Sequence, residues 1–215
     1  MTRRHLLSVA AILACTALTI VAHAVLPAKV DPDLLDGLLV RTLGFPIVAV
    51  SYFILLYSHC TVVINLNATT IRHTPTRSGV LLGSAFALLY MVGMQEIMLD
   101  ASPFAEWGMD FVAYQSLMGL GDAIPVILLC VAVSVLVGRQ VRHDAPAREG
   151  AITATLTTVL IFTLVMGASR TVWSYLGVID SYVLEYAAPV ITWGFALGCV
   201  FGVGWILLEN AYVRS

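Results

Sequence analysis

Six long apolar stretches, separated by short polar links, occupy most of this chain of 215 residues. A helix of about 20 apolar residues crosses a bilayer core of roughly 30 Å, and every stretch is at least that long. None alternates polar and apolar residues, so the pattern predicts helices rather than lipid-facing strands. We expect one all-α domain over residues 1–215, a bundle of six transmembrane helices. The predicted spans are Leu6–Leu26, Leu38–Leu66, Gly79–Leu99, Phe111–Gly138, Ala151–Ser174 and Tyr186–Leu208.

The composition agrees with a surface that faces lipid. Only 11% of the residues are charged and 60% are hydrophobic, whereas roughly a quarter of a soluble domain is charged. The net charge of −2 and the scattered basic residues exclude a nucleic-acid-binding surface. The predicted partner is therefore the lipid bilayer. Arginine greatly outnumbers lysine, as is typical of GC-rich prokaryotic genomes, so we expect this bilayer to be the inner membrane of a prokaryotic cell.

Basic residues in the short links predict the orientation, because such residues stay on the cytoplasmic side. Every second link is rich in arginine, so both termini are expected in the cytoplasm, which requires an even number of spans. The cytoplasmic set is Arg3, Arg4, Arg72, Arg77, Arg139, Arg142, Arg148 and Arg214. The smaller set on the outer side is Lys29, Arg41 and Arg170.

The first span has a second interpretation. Two arginines, an apolar run and the triplet Ala22-His23-Ala24 together resemble a secretory signal peptide with a small-x-small cleavage site. Cleavage would leave five spans and an amino terminus outside. We expect the span to be retained.

Ionisable residues within the spans are the candidates for a functional site, because each is costly in hydrocarbon unless it is paired or hydrated. Glu96 and its neighbour Gln95, Asp122 and Arg170 are all expected in the outer half of the bundle. If their helices are neighbours, two carboxylates and one arginine meet in a polar site that binds a small solute or a cation. The alternative is a purely structural ion pair.

Proline and glycine mark irregular points in the two longest spans, which carry Pro46 and Pro125. These spans are expected to tilt, to kink or to begin as an interfacial segment. Asp122 lies three residues before Pro125 and next to Gly121, where a loosened helix would line a solute site. Alternatively, the fourth span begins near Asp122 and this residue is a helix N-cap.

Small residues form stripes on two spans. Gly194, Gly198 and Gly202 recur every four residues in the last span, and Gly79 and Gly83 have the same spacing in the third. Such stripes allow close approach of two helix backbones. The helices that they contact belong either to the same chain or to a second copy or partner subunit.

No enzyme or cofactor motif is present in the sequence. The four cysteines are far apart and lack a C-x-x-C pattern, so neither a metal site nor a redox pair is predicted. The histidines do not have a haem-binding arrangement, and no cofactor is expected. The leading hypothesis is a small transporter, channel or substrate-binding membrane subunit. The alternatives are a non-catalytic accessory subunit acting through helix contacts, and an intramembrane or lipid-modifying enzyme.

Overall fold

The computed structural model describes residues 3–25, 38–68, 73–92, 110–138, 151–176 and 187–211. Every regular element in these ranges is helical, so the all-α class is confirmed for the described residues. There are seven α-helices, and the fourth continues as a π-helical segment, Ala87–Val92. The helices are α1 Arg3–Val25, α2 Leu38–Leu43, α3 Phe45–Leu66, α4 Pro75–Phe86, α5 Asp110–Val137, α6 Ala151–Tyr175 and α7 Ala187–Ala211.

The second predicted span is divided near its start. Gly44 has φ 83°, a left-handed conformation that is easily accessible only to glycine, and it separates α2 from α3. Pro46 lies in the first turn of α3, where its missing N–H costs no helical hydrogen bond. The long span is thus interrupted at Gly44, while an interfacial position of its first segment stays a prediction. Helix α3 itself has 22 residues, the length of one crossing.

Four helical stretches are long and apolar enough to cross a membrane: α1, α3, Thr155–Trp173 of α6 and Ile191–Ala211 of α7. The apolar part of α5, Gly121–Val137, is shorter, and the third predicted span is described only as far as Val92. Large side chains such as Leu55 and Leu156 are about two-thirds exposed, which a water-soluble surface would rarely tolerate. The length and composition of these helices are consistent with a membrane protein, and the count of six crossings stays a prediction.

Specific contacts define the relative directions of the helices. In α1 and α3, Thr19 meets Tyr57 while the ring of His23 lies against Phe53, so these helices are antiparallel. The contacts of α4 with α5, and of α6 with α7, have the same antiparallel register. Within each of these three pairs the two helices therefore run in opposite directions, as consecutive crossings of one bilayer require.

Helix α5 is the centre of the bundle. It packs against α1, α3, α4 and the π-helical segment, whereas α6 makes its extensive contacts with α7. Helix α7 in turn packs on α4 and on the π-helical segment. The buried core lies around α5 and includes Tyr57, Ile64, Leu82, Val126 and Leu129.

The glycine stripes face other helices of the same chain. A Cβ on Gly79 would lie 2.5 Å from Cα of Val131 in α5, and one on Gly83 would lie 2.6 Å from Cα of Ile127. In α7, a Cβ on Gly198 would lie 2.6 Å from the carbonyl oxygen of Phe162 in α6. Contacts this short leave no room for a side chain. Of the two alternatives, contact within one chain is the one that these glycines make.

A Cβ added to Gly202 would likewise lie too close to the neighbouring backbone, 2.8 Å from Cα of Val159. Gly194 differs, because its nearest neighbour is the flexible side chain of Arg170, with Cδ at 3.3 Å. In the α7 stripe, the α6 backbone therefore leaves no room for a side chain at Gly198 and Gly202, whereas at Gly194 the neighbour is a side chain that can move.

This difference predicts unequal effects of one added methyl group. We expect Gly198→Ala to lower the free energy of unfolding by about 2 kcal/mol, because the α6 backbone must shift. Gly194→Ala should change it by less than about 1 kcal/mol, since Arg170 can move aside and alanine favours the helix. The measurement is unfolding in mixed detergent and dodecyl sulfate micelles, followed by circular dichroism. Equal losses at the two positions would contradict the assigned contacts.

Candidate functional site: a buried aspartate and histidine

Asp122 lies inside α5, and its side chain is completely buried. The helix begins twelve residues earlier, at Asp110, so the alternative that Asp122 caps a helix N-terminus is wrong. Helical structure continues through Pro125, which has no N–H to offer the carbonyl of Gly121 one turn earlier. A carboxylate therefore lies beside an irregular turn in the middle of an apolar helix.

A basic group of α1 lies beside Asp122. His23 Nδ1 lies 3.2 Å from Oδ1 of Asp122 and 3.0 Å from the backbone oxygen of Thr19. A carbonyl oxygen can only accept, so Nδ1 carries a proton and donates it to the Thr19 oxygen, while Oδ1 of Asp122 lies within ion-pair distance of the same nitrogen. The second ring nitrogen gains a proton only when the imidazole becomes charged. His23 is 27% exposed, so the imidazole is the member of the pair that lies at the surface of the bundle.

Aromatic and hydroxyl groups of α3 surround this pair. The hydroxyls of Tyr57 and Thr19 hydrogen-bond to each other, and the Phe53 ring centroid lies 5.8 Å from that of His23. Tyr52 and Tyr57 are both near enough to Asp122 for their charges to interact. Three helices thus contribute to one buried polar cluster.

Three cysteines lie next to this cluster. Cys15 of α1, Cys60 of α3 and Cys130 of α5 are buried and unoxidised, and we call them the thiol layer. The side chains of Cys60 and Cys130 hydrogen-bond to each other, and Cys15 lies close enough to Cys130 to interact with it electrostatically. Within the described ranges, no group of three or more histidine, cysteine or acidic side chains has a geometry suited to a metal ion.

The structure separates two of the residues that were predicted to converge. Asp122 faces α1 and α3, whereas Arg170 lies on α6 with its aliphatic chain against Gly194 of α7. Helices α5 and α6 make no extensive contact with each other. Glu96 and Gln95 lie outside the described residues, so their assignment to a polar site remains a prediction.

His23 was missed as a site residue because it lies close to the end of its span and within the small-x-small triplet. A signal was nevertheless present in the sequence. Cys15, Thr19 and His23 recur every four residues in α1, which aligns them on one face of a helix. A polar stripe of this kind in an apolar span indicates a buried neighbour with polar groups.

Comparison with known protein families, curated proteins and solved structures found no match to this chain. Inference about its function therefore depends on the geometry of the site.

The contact between His23 and Asp122 predicts strong thermodynamic coupling. His23→Ala leaves a buried carboxylate without its imidazole, and we expect a loss of about 3 kcal/mol in the free energy of unfolding. Asp122→Asn in the same chain should recover at least about 1 kcal/mol, because an amide needs no counter-charge. The four proteins of this double-mutant cycle are compared by denaturant unfolding in micelles. Additive losses would mean that the two side chains do not interact.

Proposed function

We propose that this chain is a small membrane transport protein, in which Asp122 and His23 form a polar site open to the outer face for a small solute or a cation. The observation that carries the proposal is a fully buried carboxylate in contact with a partly exposed imidazole. The imidazole belongs to α1, which is long and apolar enough to cross a membrane, and the carboxylate belongs to the shorter apolar part of α5. Ionisable groups at membrane depth are costly, and they typically mark solute or ion pathways. A carboxylate needed only for packing would be replaced by an apolar side chain at no loss.

The proposal includes six crossings with both termini in the cytoplasm. Support comes from the ends of the helices: Pro75 at the start of α4 lies against Gly138 after α5. Because α1 is antiparallel to α5, the exposed Arg3 and Arg4 lie at this same end together with Arg77. Three basic residues at one end favour that end as the cytoplasmic one.

The site lies toward the opposite end. His23 is two residues from the last residue of α1, and Asp122 is fifteen residues from the last residue of α5. With the proposed orientation, the exposed part of the imidazole is accessible from the outside. The site also requires α1, so the proposal depends on retention of the first span.

Contacts within the chain argue against the accessory-subunit alternative in its original form. That alternative depended on glycine stripes that bind a partner, but Gly79, Gly83, Gly198 and Gly202 are covered by the chain's own helices. No comparable observation favours an enzyme. The contacts therefore favour transport through the Asp122 site over the accessory role.

The proposed topology predicts the behaviour of reporter fusions. Green fluorescent protein at the carboxyl terminus should fluoresce, because it folds in the cytoplasm, whereas alkaline phosphatase at the same place should be inactive. The purified protein should have an intact mass near 23.1 kDa, as expected for a retained first span. A mass lower by residues 1–24 would contradict retention, and an active phosphatase would contradict the orientation.

Transport through this site predicts currents that depend on the carboxylate. The protein is reconstituted in phosphatidylcholine–phosphatidylglycerol vesicles on a solid-supported membrane and exposed to jumps of protons, sodium, potassium and small organic solutes. We expect Asp122→Asn to reduce the current evoked by at least one of these by about tenfold or more, since the group that binds the cation is lost.

The matched control is Glu209→Gln, which removes an exposed carboxylate from the far end of α7 and should leave the current unchanged. Size-exclusion elution and unfolding midpoints establish that the variants are folded. Identical responses of the wild type and folded Asp122→Asn to every jump would overturn the proposed function.

A further inference from the structure

Four buried hydroxyl groups lie on one side of the Asp122 site. The side-chain oxygens of Thr16, Thr61, Ser78 and Ser134 make no hydrogen bond within the described part of the chain, and each residue is at most 7% exposed. We call them the inner hydroxyls. Buried hydroxyls nearly always have a hydrogen-bond partner, either a protein group or ordered water. Four in one small bundle therefore indicate a polar path rather than isolated defects.

The inner hydroxyls adjoin the thiol layer. Thr16 and Thr61 directly follow the cysteines of α1 and α3, and Ser134 lies one turn after the cysteine of α5. Ser78 precedes Gly79 of α4. A Cβ added to Gly79 would lie 2.9 Å from the carbonyl oxygen of Cys130, the cysteine of α5. The inner hydroxyls thus come from all four helices that pack around one region of the core.

This region extends from the site toward the basic end of the bundle. From Asp122 to Ser134, α5 rises about 18 Å, and positions 122, 126, 130 and 134 lie on one face. The hydrogen-bonded hydroxyls of Thr19 and Tyr57 lie next to Asp122, before Thr16 and Thr61. Hydroxyl groups therefore continue from the carboxylate toward the end where Pro75 meets Gly138.

We propose that the ion that passes through the Asp122 site is the proton, which enters through His23 and continues inward along the inner hydroxyls. This inference rests on the proposed transport function. It is favoured over a metal cation because the imidazole of His23 lies 3.2 Å from Oδ1, where it takes the place of a cation and repels one when it is charged. Sodium and potassium require several oxygen ligands around one point, whereas hydroxyls in a row both accept and donate protons.

Ionisable groups near Asp122 agree with this assignment. Among the residues whose side chains are described, α1 presents His23, α3 presents Tyr52 and Tyr57, and the thiol layer adds three thiols. The ionisable side chain described on α4 is Arg77, at the far basic end. The basic group at 3.2 Å from the carboxylate is therefore an imidazole, which can give up its proton.

Each proton transfer breaks one bond to hydrogen and makes another. A proton from outside binds the free ring nitrogen of His23, and the Nδ1 proton passes to Oδ1 of Asp122, which leaves a neutral imidazole and a carboxylic acid. The acid then gives its proton to an inward hydroxyl or bridging water, which releases its own proton to the next. Ring rotation or back-transfer between the two nitrogens restores His23. No electron is transferred.

The experiment uses vesicles of phosphatidylcholine and phosphatidylglycerol that contain the pH dye pyranine. Valinomycin and an outward potassium gradient make the interior negative, and internal acidification is recorded. We expect vesicles with the wild-type protein to acidify clearly faster than protein-free vesicles, and vesicles with Asp122→Asn to acidify at the protein-free rate. Ser134→Ala should slow acidification by about tenfold, because one relay group is lost. Ser134→Thr, which retains a hydroxyl, should preserve most of the rate.

A hydroxyl outside the path provides the control. Thr163 donates its hydroxyl to the Val159 carbonyl oxygen of its own helix at 2.8 Å, so Thr163→Val should acidify like the wild type. His23→Gln retains an N–H for Asp122 without a proton relay, and it should slow entry while the fold persists. Unfolding midpoints are measured for every variant to establish that it is folded. If Asp122→Asn does not fold, the acidification rate of Ser134→Ala, a smaller change, tests the inward path by itself.

Three results would overturn the inference in distinguishable ways. Currents of sodium, potassium or a solute that depend on Asp122, without proton flux, would refute the proton while the transport function stands. Proton flux that is insensitive to both Ser134→Ala and Thr61→Val would refute the inward path. Absence of every Asp122-dependent flux from folded protein would refute the transport function, and the proton inference with it.

Discussion

The contact between His23 and Asp122 is the interaction on which the centre of this bundle depends. A carboxylate at membrane depth is tolerated only with a partner or water, because hydrocarbon cannot solvate its charge. The partner must come from α1, so α1 and α5 have to be antiparallel neighbours in one register. The hydrogen bond between Thr19 and Tyr57 sets the register of α3 against the same face of α1. Polar contacts thus specify the packing of three apolar helices.

A second kind of contact holds the remaining helices. Gly79 and Gly83 bring the backbone of α4 against α5, and Gly198 and Gly202 bring α7 against α6. Because lipid tails solvate leucine as well as another helix does, close backbone contact supplies attraction that burial of apolar side chains cannot. The two glycine pairs are connected through α7, which packs on α4. Polar and glycine-mediated contacts therefore occupy different interfaces, and the polar site stays apart from the α6–α7 hairpin.

Much of the helical pattern was predictable from the sequence, whereas the neighbours of each helix were not. Apolar runs predicted α1 and α7 to within a few residues at each end, because the length of a crossing is set by the bilayer. The partner predicted for Asp122 was Arg170, chosen as the opposite charge on the same side of the membrane. Adjacency in a bundle is decided by tertiary packing, which hydropathy does not encode. His23 entered the site for that reason, although its four-residue spacing from Thr19 had marked a polar face.

The chemistry of the partner bears directly on the choice between a functional and a structural pair. An arginine beside Asp122 would remain protonated under all physiological conditions and would hold the carboxylate ionised. Such a pair is permanent and has no means of releasing a proton. A histidine can be neutral or charged, so it can pass a proton to a carboxylate and become neutral again. His23 is partly exposed and Asp122 is buried, so the imidazole is the member of the pair at the surface of the bundle. The proposed proton exchange depends on this partner, because an arginine in the same place could not take part in it.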